Sequence, residues 1–104
     1  MTDTEAISRI DWALSLFPVA SGTWLESIPM QLTYCKDLLQ GSASPDRVEE
    51  INMGYIAVRE FDGYEKESEE FELTEAICQI DYYVKDRFFT YAQKVKHGMH
   101  KRAK

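Results

Sequence analysis

The chain has 104 residues, 44% of them hydrophobic and 29% charged, with a formal net charge of −6 at pH 7. That length supports one core and not two, and the acidic balance argues against a general nucleic-acid binder. No apolar run approaches the roughly 18 residues that span a bilayer. Met1-Thr-Asp-Thr-Glu-Ala6 lacks the basic start and apolar centre of a signal peptide, so the expected location is the cytoplasm, with no membrane contact.

Thr2-x-x-Glu5 is a capping box and opens helix 1. Ile7, Ile10, Ala13, Leu14 and Phe17 follow on one face, and Pro18 ends the helix. Trp12 and Leu16 project the other way, one turn apart, either under another helix or toward a partner. After the turn Val19–Thr23, helix 2 carries Leu25, Ile28, Leu32, Cys35 and Leu39 at three- and four-residue steps. Pro29 either sits in the first turn of a helix starting near Ser27 or kinks a longer one. The favoured reading is a helix over 23–40 with distorted first turns, capped by Gly41.

Ser44-Pro45-Asp46 is a strong start signal for helix 3, with Ser at the cap, Pro at the first position and an acid in the first turn. Helix 3 is predicted to run without a break to about Phe61. Val48, Ile51, Tyr55 and Val58 share one face, while Met53, Ile56 and Ala57 share the other. A helix apolar on both sides is buried on both sides, so helix 3 is expected to be the central and most buried one. Gly54 inside this run is expected to let a neighbouring backbone come close. Helix 4 is predicted from about Glu67 to His97, about 45 Å long. Its stripe is Leu73, Ile77, Ile80, Val84, Phe88, Tyr91 and Val95. A second stripe, Phe71, Cys78, Tyr82 and Phe89, lies nearly opposite. This stripe and the Trp12–Leu16 pair are not expected both to be covered in one monomer. The fold class is all-α: a compact antiparallel four-helix bundle with one long C-terminal helix. One helical domain over 1–97 would be followed by a disordered basic tail, 98–104.

Neither a catalytic set nor a cofactor signature emerges. The run Glu65-Lys-Glu-Ser-Glu-Glu-Phe-Glu72 reads as a solvated helix start and not as a catalytic carboxylate pair. His97-Gly-Met-His100 has a metal-like spacing, but lysine and arginine crowd it, so no metal is expected. Cys35 and Cys78 sit in helical patterns and read as free thiols of the core. Charge is segregated: residues 60–81 hold nine acids and one lysine, whereas 85–104 hold seven basic residues and one acid. A helical domain with surplus aromatics and divided charge suits a protein whose work is to bind another protein. The alternative from these features is a homodimeric regulator or adaptor joined through the second stripe of helix 4.

Met53-Gly-Tyr-Ile-Ala-Val-Arg-Glu-Phe-Asp62 resembles the third-helix segment of a family of small cytosolic immunity proteins. Gln31–Leu39 and Asp81–Val84 carry a weaker likeness. The family protects bacteria from type VI secretion effectors that hydrolyse NAD and NADP. The resemblance implies an antitoxin that occludes the active site of such a toxin, its cognate partner. Glu60 and Asp62 fall within the family-like segment. Glu65, Glu67, Glu69 and Glu70 join them by charge alone, and Tyr64 beside them offers an aromatic anchor. These seven, with Trp12 and Leu16, are the candidate partner-binding residues.

Overall fold

Thr2 caps the first helix as its spacing predicts. The Glu5 N–H donates to Thr2 Oγ1 at 3.1 Å and the Thr2 N–H to Glu5 Oε1 at 2.9 Å. From there a computed structural model describes residues 1–16, 27–60 and 68–99, with the side chains of 60, 69 and 70 outside that description. Among the described residues the structure is all helical: α1 (Asp3–Leu16), α2 (Ser27–Leu39), a 3-10 helix (Pro45–Glu50), α3 (Met53–Glu60), α4 (Glu69–Phe88) and α5 (Tyr91–Lys96). Phe17, Pro18, Leu25 and the turn at Val19–Thr23 fall outside it. No described helix is long and apolar enough to cross a membrane.

The predicted helix 3 is two elements. Ser44 has the extended backbone of a cap, but its side chain makes no capping bond. Tyr34 of α2 does that work: its hydroxyl donates to the Ser44 carbonyl at 2.6 Å and accepts from the Arg47 N–H at 3.1 Å. The turn that follows closes as a 3-10 helix, the Ile51 N–H reaching the Val48 carbonyl at 3.1 Å. Gln31 then takes over the backbone. Its Oε1 accepts the Asn52 N–H, and its Nε2 donates to Asn52 Oδ1, both at 2.8 Å. The Asn52 N–H is thereby withdrawn from any continuing helix, and α3 starts afresh at Met53.

Burial on α3 is one-sided, against expectation. Met53, Gly54 and Ala57 are buried and Ile56 is half-buried, whereas Tyr55 is 67% and Val58 52% exposed. The element at the centre is α4, which packs against α1, α2, α3 and the 3-10 helix. Leu73, Ile77, Ile80 and Val84 of α4 meet Ile10, Ala13, Ile28, Leu32, Cys35 and Met53 in one core.

Ser68 starts α4, its Oγ accepting the Phe71 N–H at 3.1 Å. The helix ends at Phe88 and does not continue to His97. Thr90 is extended and forms a reciprocal capping box with Gln93, so a new helix starts at Tyr91. The break turns Phe89 into the core, where it stacks on the His97 ring with centroids 5.1 Å apart. Tyr91 and Val95, predicted to extend the α4 stripe, are exposed as a result. Helices α2 and α5 both end at a left-handed glycine, Gly41 (φ 81°) and Gly98 (φ 72°). In each, the next residue's N–H returns to a carbonyl five residues back, Ser42 to Asp37 and Met99 to Lys94.

Candidate partner-binding surface

Trp12 of α1 is 39% exposed. It lines a shallow groove with Arg9 and with Phe71, Glu75 and Gln79 of α4, and the Arg9 guanidinium donates across to Gln79 Oε1. Trp12 and Phe71 therefore belong to one surface. Leu16, paired with Trp12 in the sequence, is instead partly packed against the core. Glu60 is the last residue of α3, and Glu69 and Glu70 are the first of α4. Their side chains, together with Asp62, Tyr64, Glu65 and Glu67, lie outside the described residues. The predicted second stripe of α4 divides: Phe89 is buried, Phe71 and Cys78 are half-buried, and Tyr82 is 55% exposed.

The seam between α3 and α4 is built around Gly54. Its N–H, free at the first turn of α3, donates to Asp81 Oδ2 at 3.0 Å. A Cβ at this position would stand 3.2 Å from that same oxygen. The glycine thus admits a carboxylate and not, as predicted, a backbone. Asp81 is buried, and its other oxygen pairs with Lys85 Nζ at 2.8 Å, one turn along α4. Cys78, one turn before, points its Sγ at the Gly54 carbonyl at 3.7 Å. Burial, reinforced by Asp81, pushes the Cys35 thiol up to about 12, and the same two causes raise Cys78. Neither sulfur is a thiolate near neutral pH, which is the form that attacks or binds metal.

Outside this seam, Tyr55 and Tyr82 flank an open groove whose walls include Asn52, Lys85, His97 and Met99. The Arg59 guanidinium covers the Tyr55 ring at 5.4 Å. A second groove, lined by Met30, Gln31, Tyr34, Arg47 and Glu50, runs between α2 and the 3-10 helix. The two grooves share Ile51 and Asn52. Charges along both are answered locally. Arg47 pairs with Glu50 at 3.0 Å, and Glu49 takes Lys96 at 3.4 Å and His97 at 2.9 Å. The His97 hydrogen bond, with those of Gln93 and Lys96, holds the Glu49 carboxyl below its ordinary range.

Sequence reasoning missed this face because it assigned Tyr55 and Val58 to the core and Tyr82 to a stripe that included Phe89. One signal pointed the other way: Asp81 and Lys85, an acid and a base one turn apart, stand on either side of Tyr82 inside the apolar run of α4. Among the described residues no group of three His, Cys, Asp or Glu side chains could hold a metal ion. No curated protein and no solved structure matches the chain significantly. A family model described as Tsi6 matches residues 4–86, which takes in α1 through nearly all of α4. The chain therefore belongs to the Tsi6 family, a family of type VI secretion immunity proteins.

Proposed function

We propose that the chain is a cognate immunity protein acting in the cytoplasm, where it binds a secreted antibacterial toxin that hydrolyses NAD or NADP and covers its active site. The match of residues 4–86 to the family model carries this reading. The toxin's chemistry is taken from the likeness of Met53–Asp62 to immunity proteins of that kind. Inhibition by steric cover needs no catalytic group and no cofactor in the inhibitor. The substrate of such a toxin carries two phosphates, so the toxin's cleft is expected to be electropositive. Glu60, Asp62, Glu65, Glu67, Glu69 and Glu70 would present carboxylates where those phosphates go, with Tyr64 as an anchor. Opposite charge also speeds encounter, which matters when each free toxin molecule turns over many substrates.

The test is co-expression in a bacterial host of this chain with a candidate NAD-hydrolysing toxin domain from an adjacent reading frame, reading cellular NAD and viability. Retained NAD with the chain, and depleted NAD without it, is the expected result. Depletion that continues while the chain is present and folded overturns the reading. In the purified pair, a Glu60→Lys, Asp62→Lys, Glu65→Lys, Glu67→Lys variant is expected to lose the salt-sensitive part of the association rate.

A further inference from the structure

Two grooves, together called the trough, share Ile51 and Asn52 in their linings, and three of the most exposed apolar side chains among the described residues line them: Met30 at 72% in one, Tyr55 at 67% and Tyr82 at 55% in the other. Tyr34 and Tyr83 spend their hydroxyls inside the fold, on Ser44 and Asp3. The hydroxyls of Tyr55 and Tyr82 make no such bond among the described residues, and both side chains are exposed. The ion pairs around them, Arg47–Glu50, Lys85–Asp81 and Lys96–Glu49, cancel in place. The trough is thus an aromatic face with largely paired charges, edged by Arg59 over the Tyr55 ring, on a chain of net charge −6 whose acidic surplus sits largely in the stretch 60–75.

We propose that this trough is the anchoring part of the toxin-binding surface and holds an uncharged, protruding segment of a basic toxin domain. The inference rests on the immunity reading above and names a surface that the acidic stretch does not include. The recognition chemistry follows from the side chains. Met30, the Tyr82 ring and the side of the Tyr55 ring that Arg59 leaves open would take apolar groups, and the two phenols would donate to backbone carbonyls of the inserted segment. Tyrosine and methionine are enriched in the dry centre of interfaces, and charge is depleted there.

Charge decides between candidate occupants. A second copy of this chain would bring its own −6. A twofold contact through the trough would therefore bring together two chains of like net charge. A basic protein gains from the same layout. The acidic stretch governs its approach, and the aromatic trough governs its escape.

The experiment follows binding kinetics of the full chain on the immobilised toxin domain that the co-expression test identifies, across ionic strength. Three variants are compared with wild type: Tyr55→Ala with Tyr82→Ala, Tyr55→Phe with Tyr82→Phe, and Glu65→Lys with Glu67→Lys. The alanine pair is expected to weaken binding on the order of 100-fold through faster dissociation, leaving the salt dependence of association unchanged. The phenylalanine pair keeps the packing and is expected to lose about 10-fold, the value of two hydroxyl donors. The lysine pair is expected to slow association at low salt. Wild-type binding by both tyrosine variants, with loss in the lysine variant, overturns the trough and leaves the immunity reading standing. Failure of the wild-type chain to bind overturns both. A free chain that sediments as a dimer, and as a monomer once the tyrosines are replaced, assigns the face to a second copy and also overturns the proposal.

Discussion

Gly54 and Asp81 make one contact serve three needs. The carboxylate caps the free N–H at the start of α3, neutralises Lys85, and fills the space that a side chain at 54 would take. A carboxylate held on both oxygens cannot retreat from a new Cβ without lengthening one of its bonds. Gly54→Val is therefore expected to lower stability by about 2 kcal/mol despite valine's better helix propensity, measured by urea denaturation. Unchanged stability would show that the seam yields. Asp81→Ala leaves the Gly54 N–H and a mostly buried lysine without their partner, and is expected to cost on the order of 3 kcal/mol.

The sidedness of α3 sets two neighbouring positions apart. Ala57 is fully buried and Val58 is half open to solvent. Ala57→Asp would place an unpaired charge in the core, at a cost comparable to the stability of a small domain. Val58→Asp is expected to stay within roughly 0.5 kcal/mol of wild type. Soluble yield and melting temperature of the two variants check both, and the reverse order would mean that α3 is rotated. Helix α5 depends on its own start. Thr90→Ala removes one half of the capping box and is expected to cost about 1 kcal/mol locally, seen as faster hydrogen exchange confined to residues 91–96. These elements also show what the sequence could reveal. The Thr2–Glu5 box and the Gly41 stop were legible because a cap is a local event, decided by a few adjacent residues. The start of the 3-10 helix was legible too, but its capping group was not: Tyr34 lies ten residues away. The break at Ile51–Asn52 stayed hidden because a distant partner, Gln31, completes it, whereas the Thr90-x-x-Gln93 box that restarts the helix is local and was masked only by the apolar stripe running through it. Gly54 announced a close approach without saying what approached. The acidic stretch was legible as charge and as nothing more.

Chain ends and charge set how the whole domain answers to pH. Asp3, at the start of α1, accepts from the Tyr83 hydroxyl and pairs with Arg87 at 3.3 Å, tying the N-terminus to the later half of α4. The Tyr83 bond first, and Arg87 after it, hold the Asp3 carboxyl below its ordinary range, against an opposing effect of burial. The same bond raises the Tyr83 hydroxyl. A lowered acid contributes stability above its unfolded pKa, and that share is lost as pH falls through the folded value. A raised phenol contributes below its unfolded pKa, and its share is lost as pH rises through the folded one. The clasp is therefore fully present from about pH 5 to about pH 9 and fades at both ends. Tyr83→Phe is expected to lower the melting temperature by a constant amount in that window, with the gap closing in acid and in alkali. A gap that stays constant from pH 2 to pH 11 would remove the clasp from the account of stability.

The position of Cys78 has a consequence for observation. The chain contains two cysteines, and Cys35 is sealed in the core. Cys78 is half-buried on the wall of the Tyr55–Tyr82 groove, with its thiol raised above the ordinary value. A thiol reagent should therefore mark the native molecule once, slowly, and faster as the solution is made alkaline. Anything that settles on that face would stand between the reagent and the sulfur. The protein thus carries a built-in reporter whose labelling rate, read by mass spectrometry, reveals whether this groove is open or occupied in the unmodified native chain.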